Sequence, residues 1–183
     1  MLYWLLVPLR KYIFFFNVFR YITFRTALSG MTALLFVFIF MPIFIKLLRK
    51  HQVSQEIREE GPSTHLSKKG TPSMGGVIII GATVVSTLLW GNLSNIYVWL
   101  GLAGLMLFGL IGFIDDFIKF RSHRSLGLNT GQKLILQIAV SGLIALTLVL
   151  IGFEGKFDLR LTFPFIKEWA LYLGWLYLPW ILF

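Results

Sequence analysis

Uncharged apolar runs divide the chain into candidate membrane-spanning helices. A bilayer core about 30 Å thick needs ~20 apolar residues of helix to cross it, and residues 26–45 and 134–153 each supply 20 uncharged positions. Residues 70–114 are uncharged for 45 positions, which is too long for one helix, and turn-forming residues interrupt them at 91–95. The pattern therefore predicts four complete spans and a shorter fifth, at 26–45, 74–90, 97–117, 134–153 and 169–183.

The segments outside these runs have a different pattern. Residues 1–24 are rich in aromatic side chains, and Arg10, Asn17 and Arg20 would share one face of a helix, which is typical of a helix lying in the membrane interface. Residues 154–168 alternate apolar and polar side chains, which indicates a short β-hairpin. The predicted fold class is therefore an all-α, polytopic membrane helix bundle with about five transmembrane helices, an interfacial N-terminal helix and a short periplasmic β-hairpin.

Composition and charge agree with a membrane protein and set its orientation. Hydrophobic residues make up 57% of the chain and charged residues 14%, whereas a soluble domain has roughly 45–50% and about 25%. The net charge is +9, with ten Lys and Arg residues in 46–73 and 118–133 against three in the opposite loops, 91–96 and 154–168. Because basic residues accumulate in cytoplasmic loops, the long loops are predicted to be cytoplasmic, and no nucleic-acid partner is expected. The chain has no cysteine, which excludes a thiol nucleophile within it.

The costliest polar placement is the adjacent pair Asp115 and Asp116, at the cytoplasmic end of the predicted span 97–117. Two neighbouring carboxylates repel each other, and a helix C-terminus disfavours negative charge. Acidic residues near the membrane are candidates for function; the alternative is an ion pair with Lys119, four residues after Asp115. Because one lysine cannot neutralise two carboxylates, and neighbours on a helix point ~100° apart, we predict two roles: one acid accepts a proton and the other holds a metal.

A second candidate lies in the loop before the span at 74–90. Thr71 followed by Pro72 is typical of a helix N-cap with proline at the first helical position, and the free N–H groups of a first turn bind anions such as phosphate. Lys68 adds positive charge just upstream. The alternative is a plain cap beside positive-inside lysines. The predicted topology favours a site, since it puts this loop on the same membrane face as Asp115.

Lys133 opens the span at 134–153 and is the third candidate. A lysine in the first turn of a helix opposes the helix dipole, so Lys133 is predicted to offset the carboxylates or to hold a substrate phosphate. The alternative is a lysine that only snorkels to the interface. Carboxylates, a phosphate-binding helix start and lysines on one membrane face suit phosphoryl transfer between a soluble and a lipid substrate, with Mg²⁺ bridging diphosphate and carboxylate oxygens.

Three motifs at these residues resemble the phospho-N-acetylmuramoyl-pentapeptide transferase (MraY) family of polyprenyl-phosphate sugar-1-phosphate transferases. The resemblance covers the whole chain. Its first motif separates this family from relatives that transfer N-acetylhexosamine phosphates, which share the paired aspartates but not this motif. The family commonly has threonine at the position of Ser73, where the hydroxyl is retained. The motifs are His65-x-x-Lys68-x-Gly70-Thr71-Pro72-Ser73-Met74-Gly75-Gly76, Gly112-Phe113-Ile114-Asp115-Asp116-Phe117-x-Lys119 and Gly127-Leu128-x-x-x-x-Lys133.

The resemblance implies an activity and its partners. Such an enzyme transfers phospho-MurNAc-pentapeptide from UDP-MurNAc-pentapeptide to undecaprenyl phosphate, giving lipid I and UMP in peptidoglycan synthesis. It works with Mg²⁺ in the bacterial inner (cytoplasmic) membrane, its active site facing the cytoplasm; a homodimer is left open. By motif position Asp115 and Asp116 are catalytic, Asp115 as the base that activates the lipid phosphate and Asp116 as the candidate metal ligand. The predicted substrate-binding residues are Lys68, Thr71, Ser73 and Lys133.

The resemblance also concerns the extent of the chain. Members of the family have ten spans, and their second half holds an Asn- and Asp-rich loop, a further metal-binding aspartate and a histidine-rich loop. Residues 1–183 are therefore expected to be a single membrane domain, the N-terminal part of a longer protein, and to lack turnover alone. Two other functions remain open: a UDP-GlcNAc:polyprenyl-phosphate GlcNAc-1-phosphate transferase, and a non-enzymatic membrane module or transporter. A transporter more often places such an acid near mid-bilayer.

Overall fold

The computed structural model describes residues 1–50, 74–122, 127–155, 157–163 and 166–182. Helices dominate these residues, and a single pair of strands is found among them. Two short 3₁₀ helices, Phe14–Arg20 and Gly174–Leu176, accompany the regular elements. The regular elements are α1 (Leu2–Leu9), α2 (Ile22–Lys50), α3 (Gly76–Trp90), α4 (Ile96–Ser122), α5 (Thr130–Phe153), β1 (Arg160–Phe163), β2 (Ile166–Tyr172) and α6 (Tyr177–Leu182).

Four of the predicted spans are confirmed as helices. In the described part of the chain, α2, α4 and α5 are long and apolar enough to cross a membrane, and α3 is a shorter apolar helix. In lipid every backbone polar group must be satisfied within the segment, which forces an uncharged run of this length into a helix. The helix α4 extends five residues past the predicted boundary at 117, to Ser122. Lys119 and Arg121 lie in its last turn, where the helix dipole favours positive charge.

The N-terminal segment differs from the prediction. Residues 1–24 contain α1, the 3₁₀ helix Phe14–Arg20 and the start of α2, instead of one continuous helix. The helix α1 ends at Leu9, one residue after Pro8, which removes one backbone hydrogen bond from its last turn. Consequently Arg10 caps α1 while Asn17 and Arg20 belong to the 3₁₀ helix, so the three residues do not form one helical stripe. Their location in the membrane interface stays a prediction.

The predicted β-hairpin is confirmed, but it reaches further along the chain than residues 154–168. Strands β1 and β2 are antiparallel, and Arg160 lies opposite Tyr172. The backbone N–H of Leu173 donates to the carbonyl of Leu159 at 3.1 Å, which closes the open end of the hairpin. Residues 169–172 are therefore strand, and the fifth predicted helix, 169–183, is reduced to a 3₁₀ turn followed by α6. Gly174, with φ +50°, marks the change from strand to helix.

The chain divides into two compact units, Met1–Asn129 and Thr130–Phe183. In the first unit α3 packs against both α2 and α4, and the small residues Ala82 and Ser86 are buried on it. In the second unit α5 packs against α6, with Ala145 and Val149 fully buried. Small residues at contacts are typical of membrane helices, since they let backbones approach closely. Many large apolar side chains on α2, α4 and α5 stay exposed, as lipid-facing residues do.

Candidate functional site

Asp115 and Asp116 lie side by side on α4 but in different surroundings. The Asp115 side chain is 8% exposed and that of Asp116 is 28% exposed. Neighbouring helical residues point ~100° apart, so one acid turns into the unit and the other towards its surface. Since α4 continues to Ser122, the pair lies about two turns before the helix end. The predicted position at the C-terminus of the helix is therefore wrong, and the helix dipole is not what makes this placement costly.

Lys119 bridges the two carboxylates from the next turn of α4. Its Nζ lies 2.7 Å from Oδ2 of Asp115 and 3.6 Å from Oδ1 of Asp116. The ion pair considered as an alternative at the sequence level is therefore present. Taken by themselves, these two carboxylates and one ammonium carry one net negative charge. A cation, either free or bound to a substrate, would meet this negative charge at Asp116, whose carboxylate is the more accessible of the two.

The loop after α4 returns to Asp115 and completes its surroundings. The backbone N–H of Leu128 donates to Oδ1 of Asp115 at 2.9 Å. The preceding residue, Gly127, is so close that a Cβ atom there would overlap the Asp115 carboxylate and lie 2.8 Å from Cε of Lys119. Both oxygens of Asp115 are thus held, one by Lys119 and one by the loop. Only glycine permits this approach, because any other side chain would push the loop away from the carboxylate.

Sequence reasoning missed the part played by Gly127 and Leu128. Both stood in the third motif of the resemblance, but nothing in their residue types pointed to a contact with Asp115, which lies 13 positions before Leu128. A glycine followed by an apolar residue after a charged stretch is common in loops. The only usable signal was that a glycine is required where a backbone approaches another group closely.

The chemistry of the acid pair fits a magnesium ion. Within the residues that the structure describes, no group of three or more His, Cys, Asp and Glu side chains could enclose a metal. Magnesium does not need such a cage, since it keeps several waters and binds through one or two carboxylates together with substrate phosphates. Asp116 suits this mode, because its carboxylate is more exposed than that of Asp115 and only loosely paired with Lys119.

Lys133 lies where it was predicted, in the first turn of α5, and is partly buried. It belongs to the second compact unit, and its role as a phosphate ligand stays a prediction. Lys68, Thr71 and Ser73 lie outside the described residues.

The predicted helix start at Thr71 and Pro72 is not that of α3. This helix begins at Gly76 with Gly75 as its N-cap. Met74, just before the cap, has φ 76°, a left-handed conformation that a helix cannot contain. The helix α3 therefore starts four residues after Pro72, whereas Thr71 and the anion site predicted there lie outside the described residues, so that site stays a prediction.

Comparison with known proteins identifies the family to which the chain is similar. Residues 68–80 match the family model described as phospho-N-acetylmuramoyl-pentapeptide-transferase signature 1. The chain is similar to phospho-N-acetylmuramoyl-pentapeptide-transferase of Desulfatibacillum aliphaticivorans, 51% identical over 168 residues that cover 92% of this chain and 46% of the relative. The protein of the same name from Koribacter versatilis is 46% identical over 172 residues, covering 92% and 45%. That of Thermodesulfovibrio yellowstonii is 43% identical over 183 residues, covering 100% and 50%. The chain thus spans about half the length of the curated relatives it matches.

Proposed function

The chain belongs to the phospho-N-acetylmuramoyl-pentapeptide-transferase family, and from that premise we propose that its full-length protein makes lipid I. The reaction moves phospho-MurNAc-pentapeptide from UDP-MurNAc-pentapeptide to undecaprenyl phosphate and releases UMP. The membrane-spanning helices α2, α4 and α5 make the chain a multi-pass membrane protein, which suits an enzyme with a lipid substrate. We place the site at the cytoplasmic face of the bacterial inner membrane, because the sequence predicts that the basic loops and Asp115 share one membrane face.

The observation that carries the proposal is the unequal acid pair on α4. Asp115 is nearly buried and held by two partners, whereas Asp116 is more exposed and only loosely paired. Phosphoryl transfer is mostly positioning and charge neutralisation, which calls for a fixed group at the nucleophile and an accessible group for the metal. The pair supplies both from adjacent positions on one rigid helix.

The proposed step assigns a task to each side chain. Asp115 takes a proton from the phosphate group of undecaprenyl phosphate. An oxygen of that phosphate group then attacks the sugar-bearing phosphorus of the nucleotide. A new P–O bond forms, the anhydride bond to the UMP phosphate breaks, and UMP leaves with the electron pair. Asp116 would hold Mg²⁺, which when bound neutralises charge on the diphosphate oxygens. Lys133 holds a phosphate of the nucleotide sugar, and Lys68, Thr71 and Ser73 bind the remainder of it.

A substrate comparison tests this function. The full-length protein in detergent micelles is given undecaprenyl phosphate, Mg²⁺ and either UDP-MurNAc-pentapeptide or UDP-GlcNAc, and release of UMP is followed. We expect UMP and lipid I from the first nucleotide only. Equal or greater release from UDP-GlcNAc would replace the proposal by the sibling transferase, and no release from either would favour the non-enzymatic module. The 183-residue chain in the same assay is expected to give no lipid I, as it spans about half of its relatives.

A further inference from the structure

A second polar site lies in the first unit, at the opposite end of α4 from Asp115. It is a pocket of about 560 Å³ between the start of α2, the end of α3 and the turn that leads into α4. The 19 residues from Ile96 to Asp115 correspond to ~28 Å along the helix, so the pocket is separate from the acid pair. Its volume is within the roughly 300–1,000 Å³ range of ligand sites. Its polar lining includes Arg25, Thr26, Ser29, Ser86, Asn92 and Asn95.

Among the described residues that line this pocket, Arg25 is the only ionisable side chain, and its charge is poorly compensated. Its Nη1 makes one long hydrogen bond, 3.5 Å, to the carbonyl of Trp90, and its guanidinium carbon lies 4.3 Å from the ring centroid of Tyr3. Its Nε is buried and has no hydrogen-bond partner within the described residues. A guanidinium carries five N–H donors, so most of these donors have no hydrogen-bond partner among the described residues.

The end of α3 does not account for this arginine. The carbonyl of Trp90 belongs to the C-terminus of that helix, where the dipole amounts to about half a negative charge. Half a charge reached through one long bond does not balance a full positive charge. In the described part of the chain no carboxylate forms an ion pair with Arg25. Arg25 is partly buried, and a buried donor without a partner is costly. An anion from outside the described residues would supply the partner that its Nε lacks.

The rest of the lining indicates what kind of anion fits. Hydroxyl and amide side chains line the same pocket as Arg25, and Ile22, Ala33 and Val98 add apolar surface to it. Outside it, α2 presents exposed apolar side chains, among them Met31 and Leu34. A ligand with an anionic phosphate and apolar chains satisfies both parts, and arginine binds phosphate through two parallel N–H donors.

We propose that this pocket binds the phosphate of an anionic phospholipid, with Arg25 as its counter-charge. The acyl chains lie along the exposed apolar face of α2. The proposal does not depend on the transfer reaction at Asp115. It assigns the two ends of the first unit to different ligands, the substrates of the transfer reaction at one and an anionic phospholipid at the other.

The test measures lipid binding to the purified protein in neutral detergent micelles. Phosphatidylglycerol, phosphatidylcholine and inorganic phosphate are titrated separately, and bound lipid is counted by native mass spectrometry. We expect phosphatidylglycerol to bind about tenfold more tightly than phosphatidylcholine, and Arg25→Gln to remove that preference, since a charge-assisted pair is lost. Arg20→Gln is the matched control, because Arg20 is exposed and lies outside the pocket.

A second variant keeps the proposal falsifiable if Arg25→Gln does not fold. Gly30 lines the pocket, and a Cβ atom there meets nothing within 4 Å. Gly30→Leu therefore fills the pocket without removing the charge and is expected to weaken phosphatidylglycerol binding by about tenfold. Equal affinity for the two lipids, unchanged binding in both variants, or displacement of phosphatidylglycerol by millimolar inorganic phosphate would each overturn the lipid assignment.

Discussion

The two polar regions of the first unit carry opposite charge and differ in how far their hydrogen bonds are satisfied. At the Asp115 end an ammonium and a backbone N–H hold both carboxylate oxygens at 2.7 and 2.9 Å. At the Arg25 end a guanidinium has one 3.5 Å contact and a buried nitrogen without a partner within the described residues. The chain itself thus fixes the geometry of the acid, which suits the catalytic role proposed for it. The described residues leave part of the donor capacity of the cation unfilled.

The same contrast appears in the glycines of the two regions. Gly127 is pressed against Asp115 and Lys119 so closely that no side chain fits, whereas Gly30 borders open space. A substitution at the tightly packed Gly127 is expected to destabilise the protein, whereas one at Gly30 has room for a side chain. The comparison therefore predicts larger effects at the Asp115 end, and three variants test that order.

The largest effect is expected from Asp115→Asn. The amide keeps the size of the side chain and can still accept the N–H of Leu128, but it cannot take a proton. Loss of a general base typically costs 10²- to 10⁴-fold, so the rate of lipid I formation by the full-length protein should fall by about that factor. Asp158→Asn, at a carboxylate that is 71% exposed in the second unit, is the control and should keep its rate. Normal turnover in Asp115→Asn would exclude the role given to this acid.

A smaller effect is expected from Gly127→Ala. The added methyl group must displace the loop or the ion pair, and overpacking of this kind costs about 1–3 kcal/mol. We expect a lower unfolding temperature and roughly tenfold slower lipid I formation, with KM for the nucleotide less affected than kcat because Asp115 is displaced rather than lost.

The control for Gly127→Ala is Gly112→Ala. Gly112 lies in the same unit as Gly127, but on α4 itself, and a Cβ atom at this position meets nothing within 4 Å. Alanine there should preserve or slightly raise the unfolding temperature, since it is the better helix former. If the two variants behaved alike, the close approach of the loop to Asp115 would not matter for function.

The smallest effect is expected near the Arg25 end, from Thr32→Val. The Oγ1 of Thr32 accepts the indole N–H of Trp90 at 3.0 Å and joins α2 to α3. Side-chain hydrogen bonds between membrane helices are worth about 0.6 kcal/mol on average, so the unfolding temperature should fall only slightly. Thr147→Val, whose hydroxyl donates only within its own helix α5, is the matched control. A loss as large as that of Gly127→Ala would reverse the order of the two regions.

Much of the fold could be predicted because lipid leaves the backbone few choices. An uncharged run that crosses the bilayer must satisfy its own N–H and C=O groups and becomes a helix, as α2, α3, α4 and α5 did. The turn between α3 and α4 was equally local, since Asn92 and Asn95 accept N–H groups two residues ahead. The acid pair was predictable for a similar reason: two adjacent carboxylates near a membrane are costly wherever they lie.

What the sequence by itself determined about this protein is therefore the set of membrane helices and the charge of its loops, while the residues of a phosphoryl-transfer site stay a prediction. The tertiary structure decided the rest. Residues 169–172 form part of a strand because the backbone of β1 pairs with them, and a helix there would lose this pairing. Asp115 became the fixed acid because Gly127 lets the loop reach it. Each of these outcomes depends on a contact between two chain segments. The free energy of such a contact depends on both segments, so neither segment alone predicts it.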